Sequence, residues 1–355
     1  MAVRTALVGF GYAGQTFHAP LIMATPGLEL AAIVSGNPEK VAAVLPSVQV
    51  RDLDTVLSDP SIDLIVIATP NDTHAPLAAR SLAVGKHVVV DKPFTVNLSD
   101  ARTLAEQARI SRQVLSIFHN RRWDADYLTL SSLIRQGALG RITQFESHFD
   151  RFRPVPRDRW RERAGVPGAG LWFDLGPHLI DQALCLFGRP QSIQADIDTQ
   201  RAGKGAPDYF HAILRYRDGL RVILHGSMLT VDAGLRFAVH GDAGSYIKHG
   251  LDVQEDQMKA GRRPGDGDWG VDPSPAQVMR MVDGAAVANS CAGQPGDYRR
   301  YYAAVRDAIA DSGRNPVTAD EAVSVIELID LGARSATEQR VLDVPQLQHG
   351  QNYFP

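Results

Sequence analysis

Three short runs of this chain hold side chains whose types and spacing suit redox chemistry on an alcohol. The first is Gly9-Phe10-Gly11-Tyr12-Ala13-Gly14. Its first glycine allows a tight turn and its second lets the backbone approach a pyrophosphate. The third permits close packing of a helix on a strand, and the N-terminus of that helix faces the negative charge. The second run is Asp91-Lys92-Pro93, directly after His87 and three valines. Packing gives little reason for a lysine there, and the proline keeps the preceding backbone extended. The third run spans 171–181 and contains Asp174, Pro177, His178 and Asp181. If Pro177 opens a helix, Asp174 lies just before it and His178 just inside, with Asp181 one turn later on the His178 side. Taking a hydride from a secondary alcohol requires a base for the hydroxyl proton. A histidine with an ordinary pKa of about 6.5 suits that task near neutrality, and a neighbouring aspartate would orient its ring. Asp174, His178 and Asp181 are also acceptable metal ligands, but no second histidine stands at a convincing ligand spacing, so no metal is expected.

The elements that must position these groups read as two domains, as 355 residues suggest. Short apolar runs alternate with amphipathic stretches through the first third. Strands are expected over 5–8, 30–34, 64–68, 87–90 and 114–118, with helices over 15–24, 38–44, 75–84 and 100–108. Asn37, Thr73 and Ser99 are candidate caps. This is the pattern of a doubly wound parallel sheet of the Rossmann type, whose ligand sits beyond the carboxyl ends of its strands. Thr69, Pro70 and Asn71 follow one such strand and would flank a dinucleotide; His74 either reaches it or is an exposed first-turn residue. The second expected strand ends in Val34-Ser35-Gly36-Asn37, without the acid that usually binds the ribose hydroxyls of NAD. Ser35 leaves room for a 2'-phosphate, with Lys40 or Arg51 to neutralise it, and NADP is therefore expected over NAD.

After residue 120 the pattern becomes that of an α+β domain. A helix over 127–136 is followed by alternating segments at 142–149, 192–197, 211–216, 221–225 and 236–240, which predict a large, mostly antiparallel open sheet. Residues 259–275, rich in Gly, Pro and Asp, read as a loop, and helices over 298–311 and 319–335 close the fold, the late ones able to pack back on the first domain. The expected division is a cofactor domain over 1–120 and a substrate and oligomerisation domain over 121–355.

A formal net charge of -3 gives no general attraction to nucleic acid or to an acidic membrane surface. The arginines at 151, 153, 157, 159, 161 and 163 alternate with Asp150, Asp158 and Glu162. They read as local ion pairs or as contacts to a polar substrate or cofactor phosphate, a reading that extends to Arg121 and Arg122. Cys185 and Cys291 form no CxxC pair, no apolar run is long enough to span a membrane, and no signal peptide is seen at the start, so a cytoplasmic protein is expected.

With the runs at 9–11, 91–93 and 174–178 in the same order and nearly the whole length covered, the chain resembles the glucose-fructose oxidoreductase/inositol dehydrogenase/MocA family. The runs His119-Asn120-Arg121-Arg122-Trp123-Asp124 and Arg159-Trp160-Arg161-Glu162 look like its NADP-dependent scyllo-inositol dehydrogenase branch. The resemblance implies a catalytic group of Lys92, Asp174 and His178. His178 would accept the proton, Lys92 would bind the reacting oxygen and contact the cofactor, and Asp174 would orient the substrate. It further implies cofactor contacts from Gly9, Phe10, Gly11, Tyr12, Gly14, Ser35, Lys40, Thr69, Pro70, Asn71, His74, Asp91, Asn120 and Trp160, and a cis Pro93. Substrate selection would fall to Arg122, Asp124, Arg153, Trp160 and Tyr209, acting on a cyclic polyol or sugar. A homodimer or homotetramer through the open sheet is implied as well. Where many relatives have Glu-Lys-Pro, this chain keeps the charge with the shorter Asp91. Redox-assisted glycoside cleavage with recycled cofactor and cofactor sensing without catalysis are the alternative activities.

Overall fold

The computed structural model describes residues 2–203, 205–232 and 234–346. Six parallel strands come first: β1 (Val3–Val8), β2 (Leu28–Val34), β3 (Gln49–Val50), β4 (Leu64–Ile67), β5 (His87–Val90) and β6 (Leu115–Ile117), in the order β3-β2-β1-β4-β5-β6. All four residues of β4 are buried, as expected of a strand covered on both faces. The order reverses between β1 and β4, which puts the ends of these two strands at the switch point where doubly wound sheets bind ligands. The crossovers are α1 (Ala19–Met23), α2 (Pro38–Val44), α3 (Leu53–Ser58), α4 (His74–Ala83) and α5 (Leu98–Ser111).

Local chemistry sets where these helices begin. The Asn37 side chain accepts from the Lys40 amide, as the sequence suggested. Asn97, not Ser99, caps α5 by accepting from the Asp100 amide, because the helix has already started at Ser99. Thr73 makes no cap bond; its hydroxyl donates to the Pro70 carbonyl. The short α3, capped by Asp52 onto the Thr55 amide, and the two-residue edge strand β3 were not anticipated, both being too short to show a period.

The second sheet has nine strands. Along the chain, α6 (Ala125–Arg135) leads to β7 (Ile142–His148) and α7 (Leu171–Phe187). Then come β8 (Ser192–Asp198), β9 (Tyr209–Arg215), β10 (Arg221–Ser227), β11 (Leu235–Gly241) and β12 (Ser245–His249). After α8 (Gln254–Lys259) follow β13 (Ala276–Val282), β14 (Ala285–Cys291), α9 (Arg299–Ile309), α10 (Ala319–Glu338) and β15 (Leu342–Asp343). The order is β14-β13-β12-β11-β7-β10-β9-β8-β15, antiparallel except for β7 beside β10. The expected open, mostly antiparallel sheet is thus present, with β12 to β15 as additions. The hairpin β13–β14 turns at Asp283 and Gly284, both at positive φ (50° and 79°), a pairing typical of two-residue hairpin loops. Most of its side chains are exposed, so no apolar alternation marked it.

One face of this sheet is apolar. Phe145, Phe210, Leu214, Val222, Leu224 and Phe237 are buried in a cluster with Trp172, Leu175 and Leu179 of α7. The Trp172 ring meets Phe210 edge-on at 5.2 Å, and its Nε1 donates to the Ile329 carbonyl at 2.9 Å. A Cβ at Gly176 would lie 3.0 Å from both Trp172 and Ile329, so the glycine of the third run serves close helix packing. By Cα proximity the chain forms two compact units. The first gathers residues up to Trp123 with Val253–Gly270 and Asp297–Val323; the second holds Asp124–Asp252, Val271–Gly296 and residues from Ser324 onward. Among the described residues no helix is long and apolar enough to cross a membrane.

Candidate active site

In the first unit the glycine run leaves β1 as a turn. Gly9 has φ 100°, and a Cβ there would fall 2.5 Å from the Ala68 carbonyl oxygen; a Cβ at Gly14 would collide with the Gly9 carbonyl. Both positions require glycine for protein geometry alone. Gly11 differs: a Cβ there would meet nothing within 4 Å. Its peptide borders open space, the condition a phosphate needs to approach the backbone, so the run fits a dinucleotide. Tyr12, half-exposed, donates from its hydroxyl to Glu255 at 2.6 Å, and Glu255 is also paired with Arg121 at 3.2 Å. Burial would raise the Glu255 carboxyl, but Arg121, Tyr12 and Lys259 bring it down to about 2. Burial and Glu255 push the Tyr12 hydroxyl up to about 12.

At the end of β2, Ser35 accepts from the Asn37 amide, and Lys40 Nζ reaches the Phe10 carbonyl at 3.3 Å, which brings a cation to the glycine run. Arg51 instead pairs with Asp59 at 2.7 Å. At the ends of β4 and β5, His74 is fully buried, which removes its reading as an exposed residue. Its Nδ1 lies 2.8 Å from the Pro93 carbonyl and its Nε2 3.0 Å from that of Thr69, so one ring ties the two loops together. Asn71 and Asn120 are also buried.

Asp91 accepts from the Lys92 amide at 2.9 Å, and the Lys92–Pro93 bond is cis, as the resemblance implied. Behind Asp91 stands a residue that the sequence reading missed. His18 is fully buried, with Nε2 3.7 Å from Asp91 and Nδ1 2.6 Å from the Tyr302 hydroxyl. Burial would raise the Asp91 carboxyl; His18, Lys92 and His74 outweigh it and hold the carboxyl below its usual range. Asp91 therefore remains an anion that fixes the start of Lys92.

In the second unit the third run is helical throughout. The helix starts at Leu171, so Pro177 lies inside it and Asp174 stands in its first turn, correcting the expectation that Pro177 opens the helix. Gly170, at φ 93°, begins it by accepting from the Asp174 amide. At spacings of four and three residues, Asp174, His178 and Asp181 form one stripe, the imidazole between two carboxylates. Asp174 is half-buried, while His178 and Asp181 are buried.

Three of the residues expected at the substrate have the following surroundings. Arg122 is buried, its guanidinium held by the Pro316 carbonyl at 3.0 Å and by Glu321 at 3.2 Å. Asp124 has no exposed surface. Tyr209 precedes Phe210 on β9, and strand alternation turns it to the face opposite the one where Phe210 meets α7. Trp160 is half-buried beneath the Arg161 guanidinium, 4.8 Å from the ring centroid. The Arg153 carbonyl accepts from Arg201, a residue outside this stretch that also pairs with Glu162 and Asp208. Within the stretch Arg163 pairs with Asp158 at 2.7 Å, a local ion pair of the kind expected there.

Residues 3–119 match the family model described as the oxidoreductase family NAD-binding Rossmann fold. Residues 131–344 match the C-terminal alpha/beta domain of the same family. This chain belongs to the Gfo/Idh/MocA oxidoreductase family. Among its relatives, the "Uncharacterized oxidoreductase YdgJ" of Escherichia coli is 53% identical over 96% of this chain and 98% of its own. The scyllo-inositol 2-dehydrogenase (NADP(+)) IolW of Bacillus subtilis is 35% identical over 96% of this chain and 95% of its own. A solved Yersinia pestis structure named as an oxidoreductase superposes with a TM-score of 0.94 at 51% identity, covering 98% of both chains. The cofactor of a family with this domain is a nicotinamide dinucleotide.

Proposed function

We propose that this member of the family reversibly oxidises a ring hydroxyl of a cyclic polyol or sugar, with NADP preferred to NAD. The observation that carries the reading is the stripe on α7, an imidazole set between Asp174 and Asp181. In this reading His178 takes the hydroxyl proton, and the two carboxylates stabilise the imidazolium that forms. Lys92, its backbone fixed by Asp91, places its ammonium on the reacting oxygen and stabilises the alkoxide as it develops. Asp174, the most accessible acid of the stripe, orients the substrate. Gly9, Phe10, Gly11, Tyr12, Gly14, Thr69, Pro70, Asn71 and Asn120 would hold the dinucleotide, with His74 and Asp91 supporting them and Ser35 and Lys40 at the 2'-phosphate. The bound nicotinamide supplies the hydride acceptor. The activity for which the Bacillus subtilis relative is named supports both the substrate class and the cofactor preference.

A spectrophotometric screen of inositols, aldoses and their keto forms, with NAD and with NADP, tests this. Reduced NADP accumulating with a cyclic polyol or sugar is the expected result. Glycoside cleavage without net reduced cofactor, or dinucleotide binding without turnover on the whole panel, would overturn it. The same reading assembles two or four copies through the open sheet, which sedimentation would register.

A further inference from the structure

The outward face of the nine-stranded sheet carries a row of polar side chains that no step above uses. In the strand register His225 of β10 lies directly beside His148 of β7 and directly beside His211 of β9, which in turn faces Asp196 of β8. Asp150, two residues beyond His148, projects to the same side. Three histidines and their acids therefore share one patch, placed by strands rather than by loops.

The distances within it are those of a ligand set. His225 Nε2 stands 3.4 Å from Asp150 Oδ1, and His148 Nδ1 stands 3.6 Å from Asp150 Oδ2. One donor atom from each of the three residues lies within 4.8 Å of the others. Zinc bonds of about 2.0–2.1 Å put tetrahedral ligand atoms roughly 3.3–3.4 Å apart. Each imidazole already stands near that length from one oxygen of the Asp150 carboxylate, and one ligand atom per residue falls within a 4.8 Å set that a bound ion would draw together.

The surroundings are those that metal sites use. His148 Nε2 lies 3.1 Å from Glu146, so in the neutral ring with its proton on Nε2 the lone pair of Nδ1 faces Asp150. A carboxylate behind a histidine in this way fixes the tautomer and raises the basicity of the ligating nitrogen. Asp150 is 8% exposed and held by the Ser227 amide at 2.9 Å. Within one chain His148 and His225 keep part of their side-chain surface exposed. The geometry points to a divalent transition-metal site of the zinc class, with His148 Nδ1, His225 Nε2 and Asp150 as ligands. Water or His211, whose ring centre is 5.7 Å from that of His225, completes the fourth position. Two imidazoles and a carboxylate suit zinc, whereas magnesium and calcium prefer oxygen ligands.

The site stands apart from the proposed dehydrogenase reading and is tested without turnover. Full-length protein, stripped with a chelator and titrated with zinc chloride, should take up one zinc per chain with a Kd in the micromolar range or tighter. Glu146→Gln should weaken uptake by roughly 10–100-fold, the usual effect of removing a carboxylate behind a ligating histidine. A His148→Ala/His225→Ala double variant, checked for native circular dichroism, should lose it. No uptake by the unmodified chain, or undiminished uptake by the folded double variant, would overturn the site. Should the variant not fold, diethyl pyrocarbonate labelling of the unmodified chain decides. Zinc should protect His148 and His225 but not His240, and equal labelling with and without zinc rejects the proposal.

Discussion

The strand ends of the six-stranded sheet and the outward face of the nine-stranded one both gather polar side chains, by opposite means. At the strand ends each group comes from a run of neighbours: 9–14, 35–40, 69–74 and 91–93. The elements only have to converge, which parallel strands do by construction. On the outward face His148, His211 and His225 come from three strands, and only register makes them adjacent. A site made of runs is visible as motifs; a site made by register is invisible until the pairing is known. The first also carries structural duty, since Asp91, His74 and Glu255 anchor the loops, whereas the second rests on strands whose stability lies on their other face.

Substitutions can break or sharpen this contrast. The largest effect should come from Lys92→Ala, expected to cut kcat/KM by roughly 10²–10⁴-fold in the polyol assay while dinucleotide affinity by fluorescence titration holds. Retained turnover would remove Lys92 from the chemistry. Gly14→Ala drives a methyl into the Gly9 carbonyl and should cost about 3 kcal/mol, measured by denaturant unfolding. The acid limb of stability comes next. Glu255 has a folded-state pKa of about 2 against an ordinary 4.5, so its contribution is present above pH 4.5 and is lost as pH falls towards 2. Glu255→Gln should remove on the order of 2–3 kcal/mol above that window and flatten the unfolding profile across it; an unchanged profile would detach Glu255 from the loop it holds. Gly11→Ala should leave the melting temperature alone yet weaken dinucleotide binding by about tenfold, or about 1.4 kcal/mol, because its methyl enters open space. The smallest effect belongs to the other region: His211→Ala in metal-free protein should stay within about 0.5 kcal/mol of the parent, as ordinary surface positions do.

How much was legible follows from the same distinction. Alternation and valine-rich runs announced both sheets, and the three motifs announced the family. His18 escaped because its partner Tyr302 is 284 positions away, and a lone histidine in a helix has no pattern. The fate of Arg122 escaped for a similar reason, since its ion-pair partner Glu321 sits across 199 residues. Tyr209 reads as a substrate contact while its strand is expected to begin at His211; β9 begins at Tyr209, and once Phe210 is seen against Trp172, alternation turns Tyr209 to the face opposite α7. The Asp283-Gly284 turn was a readable hairpin signal, passed over because the flanking strands are exposed and carry no alternation.

The chain passes between its two compact units five times, after Trp123, Asp252, Gly270, Gly296 and Val323. For protein engineering this has a practical meaning. A chimera that exchanges only the first 123 residues with a relative would import a glycine run without the Glu255 that steadies Tyr12, and a His18 without its Tyr302. The exchangeable module is a set of three segments, and a chimera keeps the pairs Tyr12–Glu255 and His18–Tyr302 as they stand here only where all three travel together.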